Sequence, residues 1–208
     1  MYAEIVTLTV MIGCIPCILH CYLERGEWAT LSFFAGGFVF GIVRENIVSL
    51  MPTLYQYPNH PLYIGNAPLM MGFGWSASFY ASWIVGRDIL RCLSPNYSEH
   101  SLVQGIVTGI ITGLLALPVE IAAGAPETSW WIWPPEAITV LWEMPAIVPF
   151  GWGGAAFLFI VSFRFLGDRY RYNSRGNITF ALFTIPLIII HLLYVFGVRS
   201  IILFIFNG

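Results

Sequence analysis

The chain has 208 residues, 58% of them hydrophobic and 10% charged, with a mean hydropathy of +0.77. A soluble domain carries about 25% charged residues, so this composition excludes a soluble globular enzyme, a disordered chain and a nucleic-acid partner. It predicts an all-α, polytopic integral membrane bundle forming one transmembrane helical domain over residues 1–208.

At about 20 residues per span, the apolar runs predict six helices, near 4–23, 28–50, 66–86, 101–123, 144–166 and 177–205. The last is long and contains Pro186; counted as a span plus a short interfacial piece, it would make seven. Runs of about 20 residues argue against a β-barrel, whose strands alternate over about 10. The N-terminus lacks a basic stretch and reads as a first span rather than a cleaved signal.

All nine cationic side chains are arginine. Arg25, Arg87, Arg91, Arg164, Arg169, Arg171 and Arg175 fall in alternate connections and therefore share one side. The positive-inside rule puts that side in the cytoplasm and, with six spans, both termini on the other. The sequons at Asn96 and Asn177 then face the cytoplasm and stay unmodified. The outer connections, residues 52–66 and 124–143, carry aromatics and prolines but no cation. They suit either an interfacial aromatic belt or a cap over an apolar site.

In the second predicted span, Gly37, Gly41, Arg44 and Glu45 fall within about 100° of one another on a helix. In the fourth, Gly105, Gly109, Gly113 and Glu120 fall within about 80°. Glycines at spacing four let helices approach closely, so both glutamates should point into the bundle, roughly 5–8 Å below its outer end. Glu143 enters from the same end. An ionisable group inside a membrane is a functional candidate by default. One reading is an Arg44–Glu120 or Arg44–Glu143 ion pair that only holds helices together. The other is a pair of carboxyls whose environments separate acid from base.

Cys14, Cys17 and Cys21, near His20, have some metal-ligand character. Pro16 interrupts them and apolar filling explains them, so no metal and no cofactor are expected. His191 reads as a polar contact between helices. Arg87-Asp88 and Asp168-Arg169 read as solvated interfacial charges. The two aspartates are isolated, which argues against an allylic diphosphate substrate.

Gly41 with Glu45, Tyr55-Gln56-Tyr57, Gly65-Asn-Ala-Pro68 and Trp75 form one block. Pro118-Val119-Glu120, Trp131-Ile-Trp133, Pro145, Pro149 and Gly151-Trp152 form a second. In order and spacing, these blocks resemble a membrane family of carotenoid-biosynthesis proteins that includes carotenoid (bisanhydrobacterioruberin) hydratases. Leu117 stands where the family pattern has aspartate, and Arg44 where it has phenylalanine. The resemblance implies an enzyme acting on a lipophilic isoprenoid within membrane lipid. It would protonate a C=C bond and let water add (hydratase, a lyase) or a ring close (cyclase), as in terpenoid chemistry.

Such chemistry needs an acid, a base and π-faces to tolerate a tertiary cation; cation–π stabilisation is worth about 2 kcal/mol or more when desolvated. The expected catalytic set is Glu45, Glu120, Glu143 and Arg44. The expected substrate-binding rings are Tyr57, Tyr63, Trp75, Trp131, Trp133 and Trp152. The alternative is a small transporter or a structural subunit that uses the buried charges for proton relay or helix pairing. Cavity shape discriminates: an apolar tunnel ending at the carboxyls for the enzyme, polar access from water for the transporter, and neither for the subunit.

Overall fold

The computed structural model describes residues 2–51, 53–58, 60–124, 130–135, 137–140, 144–170 and 174–207. Its described helices are α1 (Tyr2–Ser49), α2 (Leu69–Leu93), α3 (Ser101–Gly124), α4 (Val148–Tyr170) and α5 (Ser174–Asn207). Two short strands, β1 (Tyr63–Ile64) and β2 (Ala67–Pro68), precede α2. Helices α1, α3, α4 and α5 contain stretches long and apolar enough to cross a membrane.

Helix α1 covers both of the first two predicted spans. It breaks at Gly26, where φ 81° and ψ 176° leave helical space, a left-handed φ that glycine adopts at no steric cost. The contacts show a reversal there. Before the break, Thr7 meets Met70, His20 meets Tyr80 and Glu24 meets Arg87, so the chain runs alongside α2 in the same direction. After it, Phe33 meets Tyr80 and Glu45 meets Trp75, so the direction is opposite.

Helix α2 is more polar, and more of it is packed inside the protein. Met70, Trp75, Phe79, Tyr80, Trp83 and Arg87 are all buried. It starts at Leu69 because Gly65, at φ 64°, turns the chain into the β1–β2 hairpin. The side chain of Asn46 holds that hairpin to α1. Its amide donates to the Ile64 carbonyl at 2.9 Å and its oxygen accepts the Asn66 N–H at 2.7 Å. Helix α5 is one continuous helix with Pro186 inside it.

The helices close into a ring in which each packs on its neighbours in sequence and α5 returns to α1. Rings fill the centre: Phe33 stacks on Trp83 at 5.6 Å and contacts Phe159 and Phe163 edge-on.

Both glycine stripes lie at helix contacts. A Cβ at Gly37 would sit 2.8 Å from the Ser76 hydroxyl, and one at Gly41 would sit 2.9 Å from the Met71 carbonyl of α2. On α3, a Cβ at Gly109 would lie 2.9 Å from the Gly153 carbonyl, and one at Gly113 2.7 Å from that of Pro149. Backbone meets backbone there, and backbone cannot yield as a side chain can. Gly109→Leu is therefore expected to cost at least the roughly 1–3 kcal/mol of overpacking, read as a lower unfolding temperature in detergent. Gly13→Ala, with open space around it, should be neutral or slightly stabilising.

Candidate active site

At the end of the bundle where α1 finishes, Glu45 is completely buried. A buried carboxylate needs a donor for each lone pair it exposes, and this one has four. Arg44 Nη1 donates to Oε1 at 2.5 Å and the Trp75 indole donates to the same oxygen at 2.7 Å. The hydroxyls of Tyr55 and Tyr57 each donate to Oε2 at 2.7 Å. Arg44 also donates to the Tyr55 oxygen, and its guanidinium carbon lies 5.2 Å from the centre of the Trp75 ring.

Glu120, near the end of α3, is buried in a different company. Three indoles donate to it: Trp131 at 2.7 Å and Trp133 at 3.3 Å to Oε2, and Trp152 at 3.2 Å to Oε1. All three are neutral, and no arginine forms an ion pair with Glu120 among the described residues.

One backbone clasp supplies most of these donors. Gln56 and Ile132 exchange both main-chain hydrogen bonds, at 3.0 and 2.9 Å, and so tie the two outer connections together. Side chains alternate across an extended strand. Gln56 and Ile132 point outward and are exposed, while Tyr55, Tyr57, Trp131 and Trp133 turn inward to the carboxyls. His60 adds a second tie, through Nε2 to the Trp130 carbonyl at 2.7 Å.

Arg44, Glu45 and Glu120 thus converge with Tyr57, Trp75, Trp131, Trp133 and Trp152. Several expectations need correcting. The ion pair of Arg44 is with its sequence neighbour Glu45, not with Glu120. Adjacent helical residues do not face each other, but the long guanidinium folds back between the Trp75 and Tyr55 rings. Tyr63 lies outside the site: it is 40% exposed and donates to the Pro58 carbonyl. Arg87 is not solvated but buried, paired with Glu24 at 2.6 Å and Asp88 at 3.2 Å. Glu143 lies outside the described residues.

Tyr55 was not among the expected site residues, although it touches both charges of the pair. Its signal was the alternation in Tyr55-Gln56-Tyr57, which puts both rings on one face. Cys14, Cys17 and Cys21 are free thiols on α1. No group of three or more potential metal ligands occurs among the described residues. His191 on α5 contacts the Gly151 carbonyl of α4 at 2.9 Å.

Two small cavities border Glu120, of about 20 Å³ and about 10 Å³. Neither is a long tunnel. A larger apolar groove of about 550 Å³ lies between α3, α4 and α5, with no carboxylate in its lining. Comparisons with protein-family models, curated proteins and solved structures find no match.

Removing one partner of a buried ion pair costs about 3–5 kcal/mol. Arg44→Met should lower detergent stability by that order, and adding Glu45→Gln should recover part of the loss; equal loss in the single and double variants would count against the pairing. Burial, the largest cause, pushes the Tyr55 and Tyr57 hydroxyls well above the ordinary tyrosine range; the Glu45 charge adds to it, and at Tyr55 the Arg44 charge opposes it. An acid with a raised folded-state pKa contributes stability below its unfolded value, about 10, and loses it as pH rises from there toward the folded value. Thermal unfolding should therefore fall above about pH 10, and less so in Tyr57→Phe.

Proposed function

We propose that the chain is a multi-pass membrane enzyme that modifies an isoprenoid by protonating a C=C bond. The observation that carries this reading is the asymmetry of the two carboxyls. Glu45 is paired with Arg44 and accepts from three further donors. Glu120 is contacted only by neutral indoles. Environments that differ in this way suit one group to stay ionised and the other to carry a proton.

In the reaction, Glu120 gives its proton to one alkene carbon, and the π electrons form the new C–H bond. The other carbon becomes a tertiary cation facing Trp75, Trp131, Trp133 and Trp152. Water then adds and returns a proton to Glu120, or an internal alkene closes a ring and a neighbouring proton is lost. The resemblance to the carotenoid hydratases favours water. The arginine distribution and the reversal at Gly26 support six membrane segments with both termini on the non-cytoplasmic side.

The cavities beside Glu120 are too small for an isoprenoid end group, so the outer connections must part for substrate to enter. The clasp between Gln56 and Ile132 is where they join. A second reading, a structural subunit whose charges only pair helices, is favoured by two observations: every oxygen of Glu45 and Glu120 already has a donor, and no apolar tunnel reaches the carboxyls among the described residues.

Expression in a host that makes acyclic and cyclic carotenoids separates the two. The enzyme gives a product heavier by one water or an isomer of unchanged mass; a structural subunit gives neither. Glu120→Gln should abolish that product while the protein still folds, since the amide oxygen can still accept from Trp131 and Trp133. Directly opposed, hydrogen-bonded strand residues have Cα atoms about 5.5 Å apart, within disulfide reach. In a background without the native cysteines, Gln56→Cys with Ile132→Cys should lock the clasp. The oxidised form should lose turnover and the reduced form regain it; full turnover in the oxidised form would show that entry does not need the clasp to open.

A further inference from the structure

The larger of the two cavities at Glu120 has the size and lining of a site for one water molecule. Its volume is about 20 Å³, and Arg44, Tyr55, Glu120, Trp133, Val148 and Trp152 are among the residues around it. A buried water needs roughly 10–15 Å³ of such space and two to four polar partners. Partners are at hand. Arg44 is 5% exposed, and its Nε is buried with no hydrogen-bond partner among the described residues. An unmet guanidinium donor inside a protein is costly. Glu120 Oε1 accepts only the Trp152 indole, at 3.2 Å, and so keeps a lone pair to spare. The Tyr55 oxygen donates one proton to Glu45 and accepts one hydrogen bond from Arg44, which leaves it a single lone pair for a further donor.

We propose that this chamber binds one ordered water between Arg44, Glu120 and Tyr55, and that the water and Tyr55 form a proton path between the two carboxyls. Arg44 Nε–H donates to the water, which fixes its orientation and leaves its own protons for Glu120 and Tyr55. In the relay, once Glu120 has protonated the alkene, a proton that Glu45 has taken from the adding water passes to the Tyr55 oxygen while Tyr55 releases its hydroxyl proton to the bridging water. That water passes a different proton to Glu120. One proton moves in all; water and tyrosine end as they began, and no co-reactant is consumed. Transfer through one bridging water lies within the reach of general acid–base chemistry. The water site rests on the chamber alone, whereas the relay's role rests on the reading of Glu120 as the proton donor.

Radiolytic hydroxyl labelling tests the site on the full chain in lipid nanodiscs, because an ordered water generates the radical beside the ring it touches. Tyr55 and Tyr80 are both buried, at 8% and 2% exposure, and only Tyr55 lines the chamber. Tyr55 should label several-fold faster than Tyr80. Val148→Leu, which puts an extra methylene into the chamber, should remove the difference while the protein stays folded by thermal melting. Equal labelling of the two tyrosines, or a difference that survives in folded Val148→Leu, overturns the water site. Tyr55→Phe tests the relay: turnover, measured well below the variant's own melting temperature, should drop at least tenfold, and turnover at the wild-type level overturns it. A wild-type chain without turnover overturns the relay together with the enzyme reading, while the labelling result still decides the water.

Discussion

The structure turns on burying two carboxyl groups. Taking a carboxylate out of water costs several kcal/mol unless donors replace the hydration shell. Glu45 sits at zero exposure with four donors, and Glu120 at 6% with three. These seven hydrogen bonds involve α1, α2, α3, α4 and both outer connections. Hydrogen bonds to a charged group are worth about 1.5–3 kcal/mol each, and the four on Glu45 are of that kind.

The donors are tyrosine and tryptophan for a physical reason. Each brings one N–H or O–H on a large apolar body, so each can satisfy an acid while filling space beside apolar helices. The same rings provide π-faces around the carboxyls. That is why one arrangement serves both the stability of the bundle and the proposed protonation chemistry. The two acids differ because one has an arginine beside it and the other has only indoles.

The opposite end of the bundle is held by charge as well, but in a more open setting. Arg87 joins Glu24 and Asp88, Arg91 joins Asp88 and Glu99, and Arg164 joins Glu99. Arg25 lies 4.2 Å over the Trp83 ring. These contacts connect α1, α2 and α4 to the α2–α3 turn. Glu99 is 60% exposed, and exposed pairs of this kind contribute little each; buried Arg87 is the exception. The ring is thus fastened at both ends, by desolvated hydrogen bonds at one and by a partly solvated charge network at the other.

Much of this was legible in the sequence because it depends on periodicity and on the cost of burial. Apolar runs of span length announced helices. Glycines at spacing four marked the faces where α1 meets α2 and where α3 meets α4. The same stripes pointed Glu45 and Glu120 inward. Other features required the fold. Arg44 turns to Glu45 because two rings from elsewhere in the chain flank it, which helical spacing does not encode. Tyr55 enters the site, and Tyr63, eight residues on, stays out. One neighbours the clasp to Ile132 and the other begins the hairpin held by Asn46. That clasp joins residues 76 positions apart, and a pairing at such range is decided by tertiary contact rather than local preference. Helical period and the cost of burial are local, so spacing already turns Glu45 and Glu120 inward; which donors meet each acid, and that Arg87 is buried, follow from contacts between segments far apart in the chain.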